Sequence, residues 1–306
     1  MLKKASLSAC FKATQTKRSV EQLATKHRLT SFPAYVMCVK PIYLKKQETL
    51  VPCGKCNLCV HKRVQHWQFR IKQELKVSHS AYFVTLTYND DHLPYGAKEP
   101  TLDKTDLQKF FKRLRKLQKR QIKYFAVGEY GSPLNSCRPH YHMILFNLEH
   151  PDLVTQAWTL KGNPIGFVHL DVFKTTDGIA YVMKYINKSL RETYNGKQKE
   201  FSLVSKGLGK NYLTDAMVKF HTPENCYIID EGYKKSMPRY YRDKLYVTEE
   251  QRMIVKENLN AVVQKLREAR IKRLKRAGVK DVLKFIESSD SRRTFDPKMK
   301  VKLRTL

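Results

Sequence analysis

The chain has 306 residues, enough for one large domain or two ordinary ones with a sizeable core. It carries 59 Lys and Arg against 28 Asp and Glu, a formal charge of +31, and a polyanion is the natural compensation for such self-repulsion. Seven cysteines, an odd number, with no apolar secretory segment near the N-terminus exclude a disulfide framework and suggest a reducing cytoplasm. No stretch reaches the length of a membrane span, so no membrane partner is expected. With 17 Tyr and 14 Phe beside the basic residues, there are rings on which bases can stack, and nucleic acid becomes the first expectation.

Residues 1–34 read as a basic, loosely ordered arm. Cys38 and then Cys53-Gly-Lys-Cys56-Asn-Leu-Cys59 offer the ligand count of a structural zinc site, although the spacing is not that of two separated pairs. The alternative is a turn and helix in which these cysteines simply pack. A helix follows, with Val60, Val64, Trp67, Ile71 and Leu75 at helical spacing. Tyr82–Tyr88 is rich in β-formers and ends at the turn signal Asn89-Asp-Asp91. Asp103 can cap a second helix, with Leu107, Phe110, Phe111, Leu114 and Leu117 on one face. Lys109, Lys112, Arg113, Lys116 and Arg120 lie opposite, as either a solvated face or a surface for phosphates.

Ile122–Glu129 reads as a strand, and a turn leads to Arg138-Pro-His-Tyr-His-Met-Ile-Leu-Phe146. In a strand, side chains alternate, so His140 and His142 share one face and Tyr141 takes the other. The run beyond them is apolar on both faces, as in a covered central strand. If the two strands form an antiparallel hairpin, Glu129 lies beside both histidines. Two imidazoles and a carboxylate with open positions make a catalytic divalent site. That donor set suits Mn²⁺ better than Mg²⁺, and zinc is also compatible. The alternative is a polar sheet end without a metal.

Gly166–Phe173 alternates as a further strand, and residues 176–190 read as a helix. At about 100° per residue, Ile179, Val182, Met183, Ile186 and Leu190 cluster on one side. Tyr181, Lys184, Tyr185 and Lys188 cluster on the other, an odd surface unless it meets an anion. A tyrosine hydroxyl can be a nucleophile at phosphorus, helped by an ammonium such as Lys184 or by a metal that polarises the phosphate. Lys206-Gly-Leu-Gly-Lys210 lacks the spacing of a phosphate-binding loop and reads as a turn. Residues 247–306 open with a capping box at Thr248-Glu-Glu-Gln251. A long helix with a Val255, Leu259, Val262 and Leu266 seam follows, then Gly278 and a disordered tail.

The ordered set Phe83-Val-Thr-Leu-Thr87, Gly128-Glu-Tyr-Gly131, Arg138-Pro-His-Tyr-His142 and Tyr181-Val-Met-Lys-Tyr185 resembles the HUH endonucleases. More closely, it resembles the rolling-circle replication initiators of microviruses, of gokushovirus type. Cys53-Gly-Lys-Cys56, Lys206-Gly-Leu-Gly-Lys210 and Pro238-Arg-Tyr-Tyr241 are similar to that group too. The likeness covers roughly residues 35–246; Tyr141 stands where the superfamily name implies a bulky apolar residue.

The resemblance implies an α+β fold, a central antiparallel sheet flanked by helices with the histidines on a central strand, followed by a C-terminal helical region. It implies a divalent metal, Mn²⁺ or Mg²⁺, on His140, His142 and Glu129. Tyr181 and Tyr185 would be alternating nucleophiles, one cutting the origin strand and the other closing the displaced circle. The implied partners are single-stranded DNA, double-stranded origin DNA, and the host helicase and polymerase, in the cytoplasm of a bacterial host. Two other readings fit part of the pattern. One is a non-catalytic basic protein that coats or packages single-stranded DNA; the other is a related HUH transposase or plasmid relaxase.

Overall fold

The computed structural model describes residues 38, 42–45, 49–96, 99–131, 137–173, 179, 196–282 and 284–286. The chain divides into two units. One comprises Met1–Leu58, His221–Met237 and Arg242–Thr294; the other comprises Cys59–Phe220, Pro238–Tyr241 and Phe295–Leu306.

The second unit is built on a five-stranded sheet. Its strands in chain order are β1 (Ala81–Thr87), β2 (Lys123–Tyr130), β3 (Pro139–Phe146), β4 (Val168–Val172) and β5 (Phe201–Val204). They lie in the order β4-β1-β3-β2-β5, every neighbour antiparallel. The histidine strand β3 is central, as its two-sided apolar run implies. The fold is α+β, as expected.

Alternation along β3 divides the core into two layers. Tyr141, Met143 and Leu145 enter one cluster, which takes its cover from helix α2 (Lys104–Leu117) through Leu107, Phe110, Phe111 and Leu114. Trp158, just beyond helix α3 (Asp152–Ala157), closes that layer. Ile144 and Phe146 enter the other cluster, covered by Val64 and Ile71 of helix α1 (Asn57–Val77) with Trp67 and Leu75 packed alongside. Those α1 residues are the ones set at helical spacing in the sequence.

Asp103 caps α2 through a hydrogen bond from the Thr105 amide, 2.6 Å. Leu117 departs from the expected apolar face: as the last residue of α2 it is exposed. Arg113 departs from the basic face, because its Nε donates to the carbonyl of Ala157 at the end of α3, 2.6 Å. Strand β4 starts later than Gly166, where the backbone crosses β1 so closely that a Cβ would sit 2.0 Å from the Thr87 carbonyl oxygen. The strand β5 was not foreseen; four residues with no clean alternation gave little signal. The 206–210 segment is a turn, with Gly207 and Gly209 at positive φ.

The other unit holds a hairpin of Ile42–Leu44 with Thr49–Val51, and another of Tyr227–Asp230 with Tyr233–Ser236. It also holds a long helix, Glu249–Arg276. The expected capping box is formed: Thr248 Oγ1 accepts from the Gln251 amide and Gln251 Oε1 from the Thr248 amide, each 3.2 Å. Of the expected seam only Val255 is buried, while Leu259, Val262 and Leu266 are half-covered. Gly278 follows the helix at φ 77°. Among the described residues no helix is long and apolar enough to cross a membrane. The N-terminal arm and the tail beyond residue 286 lie outside the described residues.

Candidate metal centre

The β2–β3 register sets the site. Glu129 pairs directly with His140, and Val127 with His142, so the carboxylate and both imidazoles share one face. Across the other ladder Thr85 pairs with His142 and Thr87 with His140. This is the face covered by α1, opposite to α2.

Glu129 Oε1 lies 2.9 Å from His140 Nε2 and 3.2 Å from His142 Nε2. The far nitrogens are engaged as well. His140 Nδ1 donates to the carbonyl oxygen of Arg138, 3.0 Å, and His142 Nδ1 meets Thr85 Oγ1, 2.9 Å. A carbonyl only accepts, so the His140 proton is on Nδ1 and its Nε2 presents a lone pair. Lone pairs converging with a carboxylate oxygen repel unless a proton or cation lies among them. Distances, donor types and tautomer all fit a divalent cation. The ring of Phe83 stacks on His142, with centroids 5.7 Å apart and planes 14° apart. The Glu129 side chain is 4 % exposed and that of His140 19 %, so access is from the His140 side.

Tyr141 plays no part in this face. Its buried hydroxyl donates to the Asp103 carbonyl, 2.7 Å, accepts from the Asp103 amide, 3.0 Å, and contacts the Tyr88 hydroxyl at 2.7 Å. Burial raises the ionisation of Tyr88 and Tyr141 well above the ordinary phenol range, so neither is a nucleophile. The exposed Lys109, Lys112, Lys116 and Arg120 go with α2 on that opposite side and do not line the metal site.

Thr85 and the Arg138 carbonyl were not recognised in the sequence. Their roles depend on ladder register and backbone direction; the only available hint was the polar alternation of Thr85 and Thr87 in an apolar strand. Tyr181, Lys184 and Tyr185 lie outside the described residues. Ile179, at the start of that segment, is helical and buried in the cluster on the histidine side of the sheet.

With the hairpin of metal ligands inside it, the stretch 81–190 matches a family model for the replication-associated protein ORF2. The chain carries a replication-associated protein domain of that family. Taken over a longer stretch, it is 34% identical over 215 residues to the replication-associated protein ORF2 of Spiroplasma virus 4, covering 62% of this chain and 66% of the relative. It is 28% identical to the replication-associated protein ORF4 of Chlamydia phage 1, over 64% of this chain and 53% of the relative. It is 27% identical to the replication-associated protein VP4 of Bdellovibrio phage phiMH2K, over 63% and 66%. The chain thus spans between half and just under two thirds of these relatives. No solved structure matches it.

The four cysteines also come together. Cys53 N donates to Cys38 Sγ, 3.1 Å; Cys56 N and Lys55 N donate to Cys53 Sγ, 3.3 and 3.4 Å. Cys38 Sγ and Cys56 Sγ are 3.9 Å apart. Cys59 is one turn along the same backbone, and the four sulfurs lie within 4.8 Å of one another. Burial alone raises the Cys53 thiol, but the amides of Cys56 and Lys55 and the neighbouring thiols outweigh it and bring it down to about 6.

Proposed function

We propose that the chain initiates rolling-circle replication of a small circular single-stranded DNA genome, by cutting one origin strand through a tyrosine and later rejoining the displaced circle. The observation that carries this reading is the convergence of Glu129 Oε1, His140 Nε2 and His142 Nε2 on one partly open point. A coat or packaging protein needs the charge of +31 but no such point. The relatives' names as replication-associated proteins of phages support the same assignment.

Glu129, His140 and His142 would hold a divalent cation, Mn²⁺ in preference to Mg²⁺ given two nitrogen donors, which supplies Lewis-acid polarisation of the scissile phosphate. Tyr181 or Tyr185 attacks phosphorus through its phenol oxygen. The P–O bond to the 3′-oxygen breaks, the phenol proton ends on that oxygen, and the products are a 5′-phosphotyrosine ester and a free 3′-OH. Lys184 offsets phosphate charge during this exchange. The host polymerase extends the 3′-OH. When the origin is regenerated the second tyrosine attacks it, and the released 3′-OH attacks the first ester and closes the circle. Each step exchanges one phosphodiester for another, so joining needs no ATP. Burial of Ile179 on the histidine side supports delivery of the tyrosine segment to the metal face.

The test is incubation of the purified chain with single-stranded origin DNA and Mn²⁺, followed by denaturing electrophoresis. A covalent protein–DNA band is expected, with peptide mapping to Tyr181 or Tyr185. It should vanish in His140→Ala/His142→Ala, while salt-sensitive DNA binding persists. Cleavage by that double variant under chelation, or linkage to another tyrosine, refutes the assignment.

A further inference from the structure

We propose that Cys38, Cys53, Cys56 and Cys59 form a structural zinc site that fastens the base of the N-terminal hairpin to the first turn of α1. The site shares no residue with the candidate metal centre and stands whether or not that centre works as proposed.

The hairpin needs such a fastening. Its two strands have three residues each, and Ile42, Tyr43 and Leu44 are 50 %, 56 % and 37 % exposed. A two-stranded ribbon with uncovered apolar side chains is marginal in water, and small substructures without a core are held by metals or disulfides. Cys38 lies before the first strand and Cys53 after the second, so a bond between them closes the ribbon at its open end. Cys56 and Cys59 are one helical turn apart at the start of α1, a continuous stretch of backbone that fixes their separation.

The geometry is that of thiolate ligation. Tetrahedral zinc with bonds of about 2.3 Å places its sulfurs about 3.8 Å apart; Cys38 Sγ and Cys56 Sγ are 3.9 Å apart. Gly54 at φ 73° turns the chain so that the amides of Lys55 and Cys56 point back at Cys53 Sγ. Amides aimed at sulfur stabilise a thiolate, the form that binds metal. None of the four thiols is tied up in a disulfide. Four soft thiolates select zinc, whereas the oxygen and nitrogen donors of Glu129, His140 and His142 suit Mn²⁺ or Mg²⁺, so the two sites sort metals by ligand type.

The experiment uses the full chain purified under reducing conditions. Metal analysis should find near-stoichiometric zinc that resists dialysis and is released by a mercurial reagent. The zinc should persist in His140→Ala/His142→Ala and be lost in Cys56→Ser and Cys59→Ser. Exchange with Co²⁺ should give a thiolate-to-metal charge-transfer band and the intense visible bands of tetrahedral cobalt. The wild-type cobalt spectrum decides the matter even if the serine variants fail to fold. Zinc absent from the wild type, zinc lost with the histidines but kept without the cysteines, or cobalt bound without a charge-transfer band would each overturn the assignment.

Discussion

Replacing Thr85 with valine keeps a branched side chain and deletes the oxygen that meets His142 Nδ1 at 2.9 Å. In neutral His142 with Nε2 turned to Glu129, the proton sits on Nδ1 and Thr85 accepts it. Losing one neutral hydrogen bond costs about 0.5–1.5 kcal/mol. Thr85 is half-buried, so water can replace part of the loss, and the stacked Phe83 ring still restrains the imidazole plane. These two effects place the penalty at about 1 kcal/mol, or roughly fivefold weaker Mn²⁺ binding. That is below the roughly 10–100-fold seen when an outer-shell partner is a ligand's sole support. The assay is titration of free Mn²⁺ by electron paramagnetic resonance, with the melting temperature measured in parallel. Thr85→Ser should restore affinity. Unchanged Mn²⁺ binding in a folded Thr85→Val protein, or a serine variant as weak as the valine one, would refute the role given to this hydroxyl.

Two further substitutions test the frame around the site. Tyr141→Phe removes the hydroxyl shared by Asp103 and Tyr88, so chemical denaturation should show a loss of about 2–3 kcal/mol while nicking per folded molecule is retained; abolished nicking in a folded variant would mean that Tyr141 takes part in the chemistry. Lys123→Met strands the carboxylate of Glu74, whose side chain is 1 % exposed and which Lys123 holds at 2.7 Å; urea unfolding should report a loss of about 3–5 kcal/mol, and a loss below about 1 kcal/mol would contradict the buried-pair reading.

Most of the site was legible because its information is local. His140 and His142 two apart in an alternating strand, and Glu129 near the end of the preceding strand, needed only period two and an antiparallel hairpin. The apolar residues of α1 and α2 followed from helical spacing, and Asp103 and Thr248 announced their helices. What escaped depends on tertiary register. Thr85 reaches His142 only because β1 pairs with β3 in one alignment, and Arg113 left its basic face because α3 ends beside it. The uncovered seam of the long helix was likewise invisible, since a pattern of apolar residues states what can be buried and not what covers it.

The placement of the ligands on two paired central strands has a consequence for failure. A slip of one residue between β2 and β3 would carry both histidines to the α2 side and bring Tyr141 to face α1. Apolar burial on both faces forbids that slip, because Met143, Ile144, Leu145 and Phe146 would all change layers with them. The ligand set therefore has no half-assembled form: correct strand pairing creates it whole, and mispairing erases it along with the core. An inactive but folded molecule must then owe its defect to a changed side chain or to the segment that brings the nucleophile, which makes proteolytic resistance a direct way to sort the two kinds of loss.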